Sequence, residues 1–245
     1  MVGMTRRTLL ASAAALAPQR SDAQKPEGLA AIQMLLKRPE PVTWVFTGDS
    51  ITHGAAHTFG WRSYSEHFAE RLRWEMRRVR DFVINTGISG DRLHRMNADV
   101  ERRVLRFKPD VVSAMFGMND CLAGADGHSV FRSALAELKS KTDSIGAALV
   151  LHTPNFIHYP ADIPRKDLVS YAVIVREFAA EHKVLLVDHY AHWEKTRQKP
   201  YSLLVLLADA AIHPNQYGHI LLAHETFRTL GMFDANSATC RLFVP

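Results

Sequence analysis

The chain has 245 residues, of which 47% are hydrophobic and 22% are charged, and its formal net charge is +5. This length and composition are sufficient for one globular domain with a full-sized core. They exclude an integral membrane protein, because no apolar run is long enough to cross a membrane.

The first residues have the pattern of an export signal. The adjacent Arg6 and Arg7 precede an apolar, alanine-rich stretch that runs to Ala17, and small residues follow it. This pattern predicts a twin-arginine signal over residues 1–24 and a single domain over residues 25–245, in a protein that is periplasmic or secreted. The alternative is an uncleaved N-terminal tail on a cytoplasmic protein, because the stretch is short and is interrupted by a proline and an arginine.

Short β-rich apolar runs alternate with longer segments of helical period along the rest of the chain. The apolar runs predict five strands, at Val42–Thr47, Phe82–Asn85, Val111–Phe116, Ala148–His152 and Val184–Val187. The longer segments predict helices at Trp61–Arg78, Leu93–Phe107, Ser129–Ser144, Lys166–His182 and Gln216–Leu230. This alternation is typical of βαβ units. It predicts an α/β fold, a three-layer α/β/α sandwich of flavodoxin-like type around a central five-stranded parallel sheet.

The positive charge comes partly from two arginine clusters on predicted helices. They comprise Arg71, Arg73, Arg77, Arg78 and Arg80, and then Arg92, Arg95, Arg102, Arg103 and Arg106. Amphipathic patterns of this kind indicate solvated helix faces. No aromatic residues are interleaved with them as single-strand binding requires, so we predict no nucleic-acid partner.

Three short motifs follow the first three predicted strands. The first is Gly48-Asp49-Ser50-Ile51-Thr52-His53-Gly54, the second is Asn85-Thr86-Gly87-Ile88-Ser89-Gly90-Asp91, and the third is Phe116-Gly117-Met118-Asn119-Asp120. Gly48 permits a tight backbone path that delivers Ser50 at the end of a strand, and Asp49 is expected to bond nearby backbone. Because the carboxyl ends of parallel strands meet at one edge of a sheet, we expect the three motifs to lie together.

A fourth motif, His213-Pro214-Asn215-Gln216-Tyr217-Gly218-His219, precedes the last predicted helix. Proline and asparagine are favoured at helix starts, so His213 is expected just ahead of the helix. A histidine in reach of a serine can take the hydroxyl proton and later protonate a leaving alcohol.

The four motifs in this order resemble those of the SGNH (GDSL-type) hydrolases, a family of serine esterases and lipases. The resemblance spans about Val42 to Leu230. It implies that Ser50 is the nucleophile and that His213 is the general base. It also implies an oxyanion hole formed by the Ser50 amide, the Gly90 amide and the Asn119 side chain, with Gly87 as the lesser candidate for the glycine.

One position departs from the family pattern. The pattern has an aspartate three residues before the histidine, whereas this chain has Ala210 there and Asp209 one residue further back. Three explanations are open. Asp209 reaches His213 because a bulge absorbs the extra residue; a Ser50–His213 dyad works with a backbone carbonyl; or the acid has been lost and the enzyme is crippled. Asp209 is therefore a conditional member of the site.

Neither the cysteines nor the other histidines have the spacing of a metal site. Cys121 and Cys240 form one disulfide bridge or none, and Cys121 is expected to be a small residue near the site without a nucleophilic role. The remaining histidines near the predicted site match no closed zinc set, namely His53, His57, His189 and His192. We therefore predict no cofactor and no metal.

The predicted function is a serine carboxylic ester hydrolase that works through an acyl-enzyme, with carbohydrate O-deacetylation as one candidate activity. Its partner would be a small-molecule or glycan ester. Four aromatic residues either line the mouth of the site or are buried against helices, namely Trp61, Phe156, Tyr159 and Trp193. The alternatives are a catalytically impaired relative that binds acylated glycans, motivated by Ala210, and a lipid-acting esterase. The sequence has no large apolar lid insertion, which weakens the lipase alternative.

Overall fold

The computed structural model describes residues 27–196 and 203–245. The predicted export signal at residues 1–24 lies outside the described residues and stays a prediction. A bilayer-spanning helix needs about 20 apolar residues, and among the described residues no helix meets that requirement.

A five-stranded parallel sheet forms the centre of the molecule. Its strands are β1 (Thr43–Gly48), β2 (Phe82–Asn85), β3 (Val111–Met115), β4 (Ala148–His152) and β5 (Leu185–Val187), in the order β2-β1-β3-β4-β5. This is the flavodoxin-like strand order, so the predicted sheet and fold class are confirmed. β1 and β3 are central and almost wholly buried, which explains their continuous apolar sequences.

The principal helices are α1 (Gly28–Lys37), α2 (Ser50–His53), α3 (Tyr64–Ala69), α4 (Leu93–Ala98), α5 (Val100–Arg103), α6 (His128–Ser144), α7 (Leu168–Glu181), α8 (His189–Thr196) and α9 (Gln216–Thr229). A π-helical turn at Glu70–Glu75 extends α3. Short 3₁₀ segments lie at Leu105–Phe107, Asp120–Gly127, Tyr159–Ala161, Ile163–Arg165, Leu203–Leu206 and Thr239–Arg241.

Helices cover both faces of the sheet because successive strand residues point in opposite directions. Phe46 of β1 packs against Phe68 of α3, and α3 in turn packs against α9. Ala114 of β3 points to the other face, where it and Phe131 of α6 line one small cavity. The result is the predicted three-layer sandwich, with its core between the sheet and each helical layer.

The predicted helix over Leu93–Phe107 is divided into α4, α5 and the 3₁₀ turn. The backbone leaves the helical region at Asp99 and again at Val104. The two halves bury different side chains, because Asn97 donates to the carbonyl of Ala134 on α6 whereas Arg103 reaches the carbonyl of Thr86.

The interpretation of the arginine clusters as solvated faces is wrong for two members. Arg71 and Arg103 are buried. Arg71 donates to the carbonyl of Met232 and pairs with Glu75, whereas Arg103 pairs with Asp91. The arginines whose side chains are exposed are Arg73, Arg77, Arg80, Arg95, Arg102 and Arg106.

Candidate active site

The turn after β1 delivers Ser50 to the carboxyl edge of the sheet. A β-carbon on Gly48 would lie 2.2 Å from Thr52 Oγ1 and 2.6 Å from the carbonyl oxygen of Met115, so this turn requires glycine. Ser50 is the first residue of α2. Its amide therefore has no carbonyl partner within the helix and is available to an anion.

Asp49 has the structural role expected for it. Its carboxyl group is buried and accepts a hydrogen bond from the Ile51 amide at 3.0 Å, which caps α2. Burial raises the pKa of Asp49 to about 7, because a charged carboxylate is poorly solvated there. Asp49 is thus part of the turn that carries Ser50.

His213 lies beside Ser50, although 163 residues separate them in the chain. The distance between Ser50 Oγ and His213 Nε2 is 3.0 Å, which is a hydrogen bond. Asn215 begins α9 as predicted, because its side chain accepts hydrogen bonds from the amides of Tyr217 and Gly218. His213 is consequently held just before a rigid helix.

Asp209 bonds the other nitrogen of the same ring. Its Oδ2 lies 2.5 Å from His213 Nδ1. Its Oδ1 accepts three backbone amides, from Ala211 at 3.0 Å, Ile212 at 2.8 Å and His213 at 3.0 Å. Ala210 has a φ of 57°, in the left-handed region, and this turn absorbs the additional residue between the acid and the histidine.

Neighbouring elements hold this turn from outside. The His158 amide donates to the carbonyl of Ala211 at 2.9 Å, and its Nδ1 lies 3.1 Å from the carbonyl oxygen of Ala210. Asn155, which is fully buried, donates to the carbonyl of Ile212 at 3.0 Å. The position of the Asp209 carboxylate is therefore set by the packed structure around it.

The hydrogen bonds of this pair shift both pKa values. Burial by itself raises the pKa of Asp209, but the His213 ring and the three amides outweigh it and hold this pKa at about 2. Burial lowers the pKa of His213 below its ordinary value, and the bond to Asp209 opposes that change. At neutral pH the carboxylate is thus ionised and the imidazole is neutral. The ring then donates from Nδ1 and presents Nε2 as an acceptor to Ser50.

Gly90 and Asn119 lie at the ends of the neighbouring strands. Gly90 has a φ of 79° and lies in the turn between β2 and α4. Asn119 follows β3, is buried, and donates one amide hydrogen to the carbonyl of Asp91 at 3.0 Å. The second hydrogen on Nδ2 remains available to a ligand. Gly87 is packed tightly instead, because a β-carbon there would lie 2.5 Å from the His53 amide nitrogen.

Arg165 fixes the orientation of the Asn119 amide, and no motif in the sequence indicates this role. Its guanidinium donates to Asn119 Oδ1 at 3.2 Å and to the carbonyl of Met118 at 2.9 Å. Asp162 pairs with the same guanidinium at 2.5 Å. Since Oδ1 faces Arg165, Nδ2 must face the opposite side, toward Asp91 and the site.

Two further charged residues, Asp120 and Arg103, bind backbone groups in and around the second and third motifs. The carboxylate of Asp120 accepts the amide of Leu93, the first residue of α4, at 2.9 Å and the amide of Gly117 at 3.0 Å. Arg103 pairs with Asp91 and donates to the carbonyl of Thr86 at 2.8 Å. The position of Asp120 within the third motif was a usable signal. The sequence carries no such signal for Arg103, because several other arginines surround it and nothing in the pattern distinguishes it from them.

The other predicted histidines have separate surroundings. His53 Nδ1 lies 3.0 Å from Ser89 Oγ, and His192 pairs with Glu225 at 3.1 Å. His189 is buried and lies 3.0 Å from His152. His57, by contrast, stacks on the ring of His213.

His57, Asp209 and His213 offer ligand atoms that lie within 4.8 Å of one another. The two rings are nearly parallel, at 7° and with centroids 3.6 Å apart. An imidazole binds a metal in the plane of its ring, and a single ion cannot lie in two parallel planes that are this far apart. This arrangement of the two rings does not fit a metal ion.

The four aromatic residues predicted either to line the mouth of the site or to be buried differ in their exposure to solvent. Trp193 and Phe156 are buried in the core, whereas Trp61 is 64% exposed. Tyr159 is half-buried and shares a hydrogen bond of 2.7 Å with Tyr190. Trp61 is thus the one of the four candidate mouth residues with a largely free ring.

Both cysteines, Cys121 and Cys240, are free and buried. Burial raises the pKa of the Cys121 thiol to about 12, which disfavours the thiolate that a cysteine nucleophile requires.

A serine, a histidine and an aspartate hydrogen-bonded in series, at the carboxyl edge of a parallel sheet, define the class of serine hydrolases. Comparison with known proteins identifies the group within that class. The chain belongs to the GDSL-like lipase/acylhydrolase family, whose model matches residues 46–221. The resemblance inferred from the four motifs is thereby confirmed, and the protein is an esterase, a carboxylic ester hydrolase.

Among characterised relatives, an acetylxylan esterase from Geobacillus stearothermophilus is 30% identical over 159 residues, which is 61% of this chain and 72% of the relative. The solved structure of an acetylxylan esterase from that organism superposes with a TM-score of 0.67 at 27% identity, covering 80% of this chain and 97% of the other. An α/β hydrolase from the metagenome of Lake Arreo, Spain, has a TM-score of 0.68 at 26% identity, covering 79% and 97%.

Proposed function

We propose that this esterase removes acetyl groups from acetylated carbohydrate by an acyl-enzyme mechanism, with Ser50, His213 and Asp209 as its triad. The observation that carries the proposal is the continuous series from Ser50 Oγ through both ring nitrogens of His213 to Asp209. An orienting acid of this kind maintains the tautomer that allows the imidazole to accept the serine proton.

In the first half of the reaction, Ser50 Oγ attacks the carbonyl carbon of the ester while His213 Nε2 takes the hydroxyl proton. The negative charge that forms on the carbonyl oxygen is stabilised by the amides of Ser50 and Gly90 and by Asn119 Nδ2. His213 then gives its proton to the departing alcohol. An ester of Ser50 with the acyl group remains.

In the second half, water attacks the acyl-enzyme and His213 removes a proton from it. The same three donors stabilise the second oxyanion. Collapse of this intermediate releases the carboxylic acid, and the proton on His213 returns to Ser50 Oγ. Asp209 stays ionised throughout and holds the ring in place.

Two observations support a carbohydrate ester as the substrate. The relatives described above include acetylxylan esterases. The segment after α2 carries the exposed rings of Phe59 and Trp61, and His57 of the same segment stacks on His213. Exposed aromatic rings close to a site are suited to stacking on sugar rings.

The two alternatives derived from the sequence receive less support. The impaired glycan-binding relative depends on a missing acid, whereas the contact between Asp209 and His213 supports Asp209 as that acid. A lipid-acting esterase remains an outcome of the test.

The test measures hydrolysis of acetylated xylo-oligosaccharides and of p-nitrophenyl esters of increasing chain length. We expect turnover of the acetylated sugar and a preference for acetyl among the p-nitrophenyl esters, with both activities lost in Ser50→Ala. A preference for long acyl chains would indicate the lipid esterase. Absence of turnover that depends on Ser50 would overturn the enzymatic proposal.

We further propose that residues 1–24 direct export by the twin-arginine route, so that the enzyme meets its substrate outside the cytoplasm. The support is the arginine pair and the apolar stretch that follows it. A reporter fused after residue 24 should be exported, and the double substitution Arg6→Lys, Arg7→Lys should retain it in the cytoplasm. Export that is indifferent to the double substitution would contradict the proposal.

A further inference from the structure

The ring of His57 covers one face of the His213 ring. The two centroids are 3.6 Å apart and the planes differ by 7°, so the contact is a face-to-face stack. His213 thus has its edge nitrogens bonded to Ser50 and Asp209 and one flat face occupied by His57. The acyl-transfer mechanism proposed above gives His57 no role.

The segment that carries His57 adopts an unfavourable backbone to present this ring. Ala56 has a φ of 63° and Phe59 a φ of 53°, which are left-handed values in non-glycine residues. These conformations are unfavourable for residues with a side chain, and such strain clusters at functional sites. Thr58 is buried between them and donates to the carbonyl of Gly54 at 3.0 Å, which fixes the segment to the end of α2.

We propose that His57 is a positioning residue for the base of this enzyme. Its ring, stacked on His213, holds that ring between Asp209 and Ser50 and stabilises it when it carries the transferred proton. The inference rests on the proposed function, because it assigns a role around the proposed general base.

The physical basis is the change in charge of His213 during the reaction. When His213 takes the serine proton it becomes a cation, and the π face of a neutral neighbouring ring attracts a cation. A protonated His57 would instead place a second positive charge against it. The other charged or titratable groups that act on His213 are Asp209, which favours its protonated form, and Arg165, which disfavours it. Both rings also act on the buried His219 of α9.

The test compares His57→Ala with His57→Phe, which keeps a flat ring and cannot titrate. At pH 8 we expect His57→Ala to lower kcat by about 3- to 30-fold with a smaller change in KM, and His57→Phe to restore most of the loss. His182→Ala is the control, because His182 lies at the end of α7, where its ring makes a tilted contact with Phe178.

A second measurement does not depend on turnover. NMR titration of His213 should give a higher pKa in His57→Phe than in the wild type, because the repulsion from a protonated neighbour is removed. Thermal unfolding of each variant identifies any loss that is due to folding alone. Activity of His57→Ala equal to the wild type at every pH, or an unchanged titration of His213 in His57→Phe, would overturn the inference. Absence of wild-type turnover with a shifted titration would overturn the proposed function and leave the stack established.

Discussion

Ala210 occupies the left-handed region of the backbone, a conformation that costs a non-glycine residue about 1 kcal/mol. The sequence identified this residue as the misfit but left three explanations open. The geometry favours the bulge, because Asp209 Oδ2 reaches His213 Nδ1 while Oδ1 is fixed by three amides. A backbone angle at one residue is not readable from motif spacing. Motif spacing alone therefore could not decide which of the three explanations holds.

Substitution of Ala210 tests the bulge directly. We expect Ala210→Asp to leave kcat/KM for an acetyl ester within a few-fold of the wild type, since the ring nitrogen already has its carboxylate. Ala210→Gly should be equally active and more stable by about 0.5–1 kcal/mol, because glycine tolerates a positive φ. A gain of several orders of magnitude in Ala210→Asp would mean that the acid is missing from the wild type.

The shifted pKa of His213 predicts the acid limb of the pH profile. The base must be neutral to accept the serine proton, so activity is lost as pH falls through its pKa. Burial lowers this pKa from its ordinary value of 6.5. The midpoint of the acid limb of kcat/KM should therefore lie below pH 6.5. A midpoint above pH 7 would show that the bond to Asp209 outweighs burial.

At the scale of elements, periodicity predicted the five strands to within one residue at each end and the long helices α6, α7 and α9 to within two. Periodicity did not predict α2, because this helix has only four residues and is too short to show a repeating pattern of apolar residues. It also missed the start of α3, which begins at Tyr64 where the Ser63 amide donates to the Glu66 carboxylate at 2.7 Å. These irregular elements are the ones that shape the site.

The turn after β3 supplies a prediction about oxyanion stabilisation. Removal of the donor in Asn119→Ala should lower kcat by about 10²- to 10³-fold. Arg165→Ala should lower it by about 10-fold, because the Asn119 amide loses the partner that sets its orientation.

Steady-state kinetics of the double variant Asn119→Ala, Arg165→Ala shows whether Arg165 acts by orienting the Asn119 amide or through its charge alone. If Arg165 acts through Asn119, the double variant should be no slower than Asn119→Ala alone. Arg132→Ala, which removes an exposed pair with Glu181, is the control and should behave as the wild type. Independent, multiplicative losses would contradict the role given to Arg165.

Across the whole molecule, the sequence predicted the sheet, the edge that carries the site and the four motifs that meet there. It did not predict the buried polar groups beneath them. Arg103 donates to the backbone carbonyl of Thr86 in the second motif, and a hydrogen-bonded series of Ser113, His152 and His189 lies inside the core. Polar residues in a core depend on partners that are distant in sequence, so local patterns carry no signal for them.

The buried histidines predict loss of stability in acid. Burial lowers the pKa of His152 and of His219 to about 3 and that of His67 to about 4. Between these values and 6.5 the unfolded chain binds protons that the folded chain does not. Each such group therefore contributes stability that is full above pH 6.5 and is lost on acidification, at roughly 1 kcal/mol per pH unit. Asp49 and Asp120, whose pKa values are raised by burial, act in the opposite direction but are fewer than the buried histidines.

The thermal midpoint followed by circular dichroism should consequently fall as pH is lowered from 7 to 5. In His152→Gln the fall should be shallower than in the wild type, even if this variant is less stable at pH 7, because one titrating group has been removed. A midpoint that is constant or rises over this interval would contradict the neutral state of the buried histidines.

We propose that Asp209 orients His213 for attack by Ser50, although it lies one residue before its usual position in the sequence. The most direct test is kcat for an acetyl ester in Asp209→Asn, with the residual rate of Ser50→Ala as the floor. Loss of the orienting carboxylate should lower kcat by about 10³- to 10⁴-fold while the variant stays folded. A folded Asp209→Asn variant that retains kcat within a few-fold of the wild type would contradict the claim.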